Sequence, residues 1–126
     1  MTLVPGLRAQ LLIMVEMEDT AKKVGSGDVP VLATPRLVAL AEAACVRAVE
    51  KHLQPGQTSV GTRVELDHLA ASPLGTHVQV GVELIEVDGR RLIFAFEAHD
   101  RRTVVGQGII ERMVVDRAAF LARAAR

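Results

Sequence analysis

The chain has 126 residues, 49% of them apolar and 24% charged, with 15 basic and 15 acidic side chains and a formal charge of zero. That length suits one domain with a real core. The balanced charge, with three Phe and neither Trp nor Tyr, speaks against the basic, aromatic-lined surfaces that hold nucleic acid, and a single cysteine, Cys45, rules out an internal disulfide and fits a reducing compartment.

Leu7 to Met17 reads as a first strand, with β-branched Ile13 and Val15 and a polar break at Glu18-Asp19. Its apolar run, Leu11 to Val15, is too short to cross a bilayer, and no basic start or small-residue cleavage site marks a signal peptide. A cytoplasmic chain without a membrane partner is expected. Thr20 to Pro30, TAKKVGSGDVP, is rich in Gly, Ser and charge and reads as a mobile connection. Thr34-Pro35 predicts a helix start, with Thr34 as N-cap and Pro35 at the first helical position. The helix runs to about His52 or Leu53 and stops at the turn signal Gln54-Pro55-Gly56.

Beyond Gly56 the period is two. Val60, Thr62, Val64, Leu66, His68 and Ala70 share one strand face, and Arg63, Glu65 and Asp67 the other. After the turn Ser72-Pro73-Leu74-Gly75, a second strand alternates through Val78, Val80, Val82 and Leu84. Asp88-Gly89 marks a tight hairpin into Arg91 to His99, and Asp100-Arg101-Arg102 turns the chain into Thr103 to Val115. A short Ala-rich helix, Arg117 to Arg123, follows. The order is strand, long helix, then four strands able to form an antiparallel meander. The helix is apolar almost all round, which predicts burial. An α+β domain whose antiparallel sheet wraps a long central helix is the hotdog fold, and one such domain over residues 1–126 is expected. Hotdog domains commonly pair edge to edge, which removes an exposed sheet edge.

Within that greasy helix Glu42 is the anomaly. Its neighbours three and four residues away are Val38, Ala39, Cys45 and Val46. An ionised carboxylate there costs several kcal/mol without compensation, so either a tertiary partner or a functional use is expected. His68 has the same character, lying in line with Val64 and Leu66, and an imidazole and a carboxylate that both face inward are expected to meet where helix packs on sheet. Cys45 has no activating neighbour at helical spacing and reads as a small core residue. No His/Cys/Asp/Glu spacing suggests a metal site, and no glycine-rich phosphate loop is present.

Three blocks now carry a resemblance: ATPRLVALAEAACVRAV (Ala33 to Val49), QPGQTSVGTRVELDHLAASPLG (Gln54 to Gly75) and VDGRRLIFAFEAHDRRTVVGQGIIER (Val87 to Arg112). With this order and spacing the chain resembles the fluoroacetyl-CoA-specific thioesterases of the hotdog fold. The resemblance implies hydrolysis of a small or short-chain acyl-CoA, with Thr34, Glu42 and His68 as the catalytic set and Gly61 and Arg112 at the acyl pocket. It implies a homodimer, compatible with a higher oligomer, that binds acyl-CoA near the subunit interface and uses no cofactor beyond the coenzyme A thioester itself. The family's fluoroacetyl-specific member has a phenylalanine-bearing lid before the helix. Here Lys22 to Leu32, KKVGSGDVPVL, has no aromatic residue, and Ala43 stands where the aromatic after the catalytic Glu would be. Thioesterase chemistry is therefore expected, and fluoroacetate specificity is not.

Two alternatives stand beside this. One is a non-catalytic acyl-CoA binding module, since fold does not fix function. The other is a hotdog enoyl-CoA hydratase or dehydratase, suggested by Asp67-His68, although Asp67 points to the strand face opposite His68.

Overall fold

The computed structural model describes residues 2–126. It comprises β1 (Arg8–Met14), α1 (Ala21–Val24), α2 (Thr34–Val49), β2 (Gln57–His68), β3 (His77–Asp88), β4 (Arg91–His99), β5 (Val104–Asp116) and α3 (Arg117–Ala124). The strands form one antiparallel sheet in the order β1-β3-β4-β5-β2, so β1 and β2 are its edges. The sheet curls around α2, as the sequence pattern predicts, but the four later strands are not one meander: β3, β4 and β5 pair in succession, while β2 crosses to the far edge and pairs with β5.

Alternation builds the core. Val78, Val80, Val82 and Leu84 on β3 and Leu92, Phe94, Phe96 and Ala98 on β4 are buried on the helix side. From α2 they meet Leu37, Leu40, Ala41, Ala44, Cys45 and Val49. Each large side chain contributes roughly 1.5–3 kcal/mol by leaving water. The helix is not buried all round, however. Ala39, Ala43 and Val46 stay exposed along one stripe, Val46 by 41%.

Three local expectations change. The first strand ends at Met14, because a 3-10 turn follows at Met17–Asp19, in which the Asp19 carboxylate accepts from Glu16 N at 2.9 Å. Thr20 to Pro30 is an ordered connection. Thr20 is fully buried, Ala21 N donates to Val31 O at 2.8 Å, and Lys22 N donates to Val29 O at 3.2 Å. Glycine and charge leave a segment no apolar signal, yet these backbone bonds fold it against the start of α2. In β2 a bulge lies between Gly61 and Arg63. Gly61 pairs with Arg112, while Val64, Leu66 and His68 pair with Ile110, Gly108 and Gly106. Directly opposed residues share a face, so Gly61 and His68 both face the helix despite their odd spacing, and Val60 and Thr62 do not share the face of His68. One extra residue on a strand reverses the alternation beyond it.

Gly108 sets how closely β2 and β5 approach. A Cβ there would drive into the carbonyl oxygen and carbon of Glu65 and against Cα of Leu66, rigid backbone that cannot rotate away. Gly108→Ala is expected to lower the unfolding free energy by about 2 kcal/mol or more, read from the urea midpoint. A loss below ~0.5 kcal/mol would show that the strands separate freely.

Candidate active site

Two clusters of polar side chains lie against α2, one at each end of β2. The first is at the helix start. Ala33, not Thr34, is the N-cap residue, with extended backbone, and Leu37 N donates to Ala33 O at 3.0 Å. Thr34 is therefore the first helical residue and Pro35 the second, and the Thr34 hydroxyl is released from capping. It makes a 2.7 Å hydrogen bond with His68 Nδ1. Asp19 holds this turn in place: its backbone oxygen accepts from Ala33 N at 2.9 Å, and its carboxylate accepts from Arg36 Nε at 2.8 Å. Burial pushes the Asp19 carboxyl up, but the Glu16 amide and the Arg36 guanidinium together hold it below its usual range.

His68 is half-buried, and its other ring nitrogen, Nε2, is buried with no hydrogen-bond partner among the described residues. Burial pushes its pKa below the ordinary imidazole value, so the ring is neutral at neutral pH. A polar atom left in this way costs free energy until something bonds it.

The second cluster compensates Glu42. Its Oε2 accepts from Arg112 NH1 at 2.9 Å. Arg112 is only 6% exposed and is engaged through each of its nitrogens: besides the bond to Glu42, Nε donates to Ser59 Oγ at 3.0 Å and NH2 to Ser59 O at 2.8 Å. The tertiary partner expected for Glu42 is thus an arginine on β5, held by a serine on β2. The Glu42 side chain is 33% exposed, and its Oε1 has no hydrogen-bond partner among the described residues, so one oxygen is fixed and the other is open. Gly61 completes the cluster, since a Cβ there would collide with Glu42 Oε2.

The structure thus joins Thr34 to His68, and Glu42 to Arg112 and Gly61. It does not bring Glu42 to His68 within one chain. Thr34 and Glu42 are two helical turns apart, about 12 Å, and Gly61 and His68 are roughly 20 Å apart along β2. The expected meeting of acid and imidazole fails in the single chain because both elements run the same distance between them. Ser59 was missed. Nothing but its place two residues before Gly61 in a strand could have flagged it. Cys45 is buried, and desolvation pushes its thiol up to about 12, as befits a core residue. Among the described residues no group of three or more His, Cys, Asp or Glu side chains could hold a metal ion, and no helix among them is long and apolar enough to cross a membrane.

A five-stranded antiparallel sheet curled on one long helix, with its polar groups at the helix–β2 seam, defines a hotdog-fold protein, and comparison with known proteins narrows the class. The sequence model of the fluoroacetyl-CoA-specific thioesterase family matches residues 15–118. The fluoroacetyl-CoA thioesterase of Streptantibioticus cattleyicolor is 44% identical over 93 residues, which cover 74% of this chain and 67% of that one. A solved structure of the fluoroacetyl-CoA thioesterase FlK superposes with a TM-score of 0.92 at 35% identity, covering 98% of this chain and 96% of the other. A thioesterase superfamily member from Thermus thermophilus superposes at 0.89 with 28% identity, covering 96% and 90%. The chain is a thioester hydrolase of the hotdog fold. It belongs to the fluoroacetyl-CoA-specific thioesterase family.

The environment of His68 sets a pH dependence. As pH falls through the ordinary value of 6.5, the unfolded chain takes up a proton that the folded ring resists, so stability is full above 6.5 and declines below it. A titration followed by NMR is expected to place His68 below 6.5, and the fall of the urea midpoint between pH 6.5 and 5 is expected to be smaller in His68→Gln. A ring titrating at or above 6.5 would contradict the burial argument.

Proposed function

We propose that the protein hydrolyses a small or short-chain acyl-CoA to the free acid and CoA, with Thr34, Glu42 and His68 as its catalytic groups. The observation that carries the assignment is the pair of half-sites: a carboxylate with one oxygen fixed by a buried arginine, and a neutral imidazole oriented by a threonine. Hydrolysis of a thioester needs a group that delivers oxygen to the carbonyl carbon, a proton donor for the departing sulfur, and hydrogen-bond donors for the oxyanion. Glu42 Oε1 delivers the oxygen, by direct attack or by taking a proton from water. The carbonyl–sulfur bond breaks, and the proton that water gives up passes by way of His68 Nε2 to the departing CoA sulfur. Arg112 keeps Glu42 oriented, and Gly61, at the acyl pocket, leaves the space that the Glu42 carboxylate fills. The family relationship favours this reading over a binding module or a hydratase, and solved relatives carry acetyl-CoA or fluoroacetate with CoA. The segment before α2 has no aromatic side chain and Ala43 is exposed, so the chain lacks the aromatic groups on which specificity for fluoroacetyl-CoA would rest. A cytoplasmic location fits the free cysteine.

The working unit in this reading is a homodimer with two shared sites. β2 is a 12-residue edge strand. Its centre, Thr62 to Glu65, is exposed, with Val64 at 39%. The exposed stripe Ala39, Ala43 and Val46 runs beside it on α2. An unpaired edge next to apolar surface favours pairing with a second copy. A two-fold axis through the middle of β2 sets the Gly61 end of one strand against the His68 end of the other, and the bulge keeps both on the helix side. Glu42 and Arg112 of each chain then face Thr34 and His68 of its partner, which also supplies the buried Nε2 with neighbours.

Glu42→Ala and His68→Ala are each expected to lower thiol release from short-chain acyl-CoA by at least ~10²-fold. After unfolding and refolding the two inactive variants together, mixed dimers are expected to regain activity, because one of their two sites carries both native groups. No thiol release by the wild-type protein from any acyl-CoA would end the thioesterase assignment. Activity in the wild type without recovery in the mixture would end the shared-site arrangement alone.

A further inference from the structure

We propose that the basic turn between β4 and β5, built on Arg101 and Arg102, binds the phosphates at the nucleotide end of the coenzyme A substrate, an inference that rests on the thioesterase reading. The turn forms one wall of a cleft of about 410 Å³, lined by Gly75, Thr76, His77, Asp100, Arg101 and Arg102, within the ~300–1,000 Å³ range of small-molecule sites. Both arginines are exposed, and among the described residues neither is in an ion pair. The acid beside them is turned to the backbone: Asp100 Oδ1 accepts from Arg102 N at 2.8 Å and from Thr103 N at 2.9 Å, and its charge offsets one of the two arginines in part. The carboxylate thus stiffens the turn and leaves two adjacent guanidinium groups turned to solvent. Planar guanidinium groups are the preferred side chains for bidentate contacts to phosphate.

The place is right for the ligand. Residues 100–103 lead into Val104 and Val105, whose neighbours are the end of β2: Leu69 N and Ala70 N both donate to Val105 O, at 2.7 and 3.2 Å, and His68 pairs with Gly106. Arg102 is four residues from Gly106, so its backbone lies within about 14 Å of that position. An extended pantetheine arm spans roughly 15 Å from sulfur to the first phosphorus by the reach of a comparable length of extended chain. A thioester held at the Thr34–His68 end therefore has an arm long enough to set its diphosphate at the turn. A second groove, about 890 Å³ on the outer sheet face, is lined by Glu65, Asp67, Glu83 and Glu97 against the single arginine Arg8, which pairs with Glu83, so its balance is acidic and disfavours such an anion.

The test uses the double variant Arg101→Gln/Arg102→Gln and two thioesters of the acyl group the wild type cleaves fastest, one of coenzyme A and one of pantetheine, which lacks the nucleotide. The ratio of kcat/KM for the CoA thioester to that for the pantetheine thioester is expected to fall about 10- to 100-fold in the variant, through KM, as lost charged hydrogen bonds predict. It is expected to fall in the wild type too as salt is raised. Calorimetry with 3′-phosphoadenosine 5′-phosphate tests the turn without catalysis: binding to the wild type and loss in the variant support the proposal. An unchanged ratio, unchanged nucleotide binding, or inorganic phosphate binding as tightly as the nucleotide would overturn it. If the wild type cleaves no thioester, the thioesterase reading fails, and the calorimetry still decides what the turn binds.

Discussion

The bond between Glu42 and Arg112 ties together three elements that the chain places far apart. A helix residue, an arginine 70 positions later on β5 and a serine on β2 meet at one buried guanidinium. Arginine so far from water is stable only when its donors are satisfied, and here each of its three nitrogens has a partner. The seam between α2 and the β2–β5 pair is therefore fixed by directional bonds as well as by hydrocarbon packing. The carboxylate is one-third exposed, so its attraction to Arg112 is screened and its contribution to stability is modest. Its value lies in geometry, with one oxygen held and the other presented.

The bulge at Gly61–Arg63 converts an ordinary edge strand into the support for both half-sites. A regular strand would send Gly61 and His68 to opposite faces, and one of the two clusters would open on the outer surface of the sheet. The extra residue costs a local interruption of the ladder, and in return both ends of β2 address the same helix. The glycine at the bulge also leaves the volume that the Glu42 carboxylate occupies.

Much of this was legible in the sequence because the signals were strong. Strand alternation in Val78 to Leu84 and Leu92 to Ala98, the Asp88-Gly89 hairpin and the Thr34-Pro35 helix start each have a local physical cause; the strands lie where the pattern puts them, and the hairpin loop and the helix cap lie within one residue of it. Glu42 and His68 stood out because polar groups on apolar faces need partners. The partners themselves were not legible. That Arg112 faces inward depends on pairing across β5 and β2, and Ser59 announces itself by no periodicity. The bulge is invisible to a period-two reading, which runs straight through it. The ordered course of Thr20 to Pro30 rests on backbone bonds to Val29, Val31 and Leu32, which composition does not encode. Thr34 as N-cap was the natural reading of Thr-Pro, and it fails by one residue because Asp19 holds Ala33 in the capping position.

Cys45 sits one helical turn from Glu42, deep enough that its thiol is pushed up to about 12. At neutral pH only on the order of one such sulfur in 10⁴–10⁵ is ionised. Thiol–disulfide exchange proceeds through the thiolate. A protein that releases a free thiol at every turnover, among the disulfides such thiols form, thus keeps its own sulfur out of that traffic, and its core is not titrated by its product.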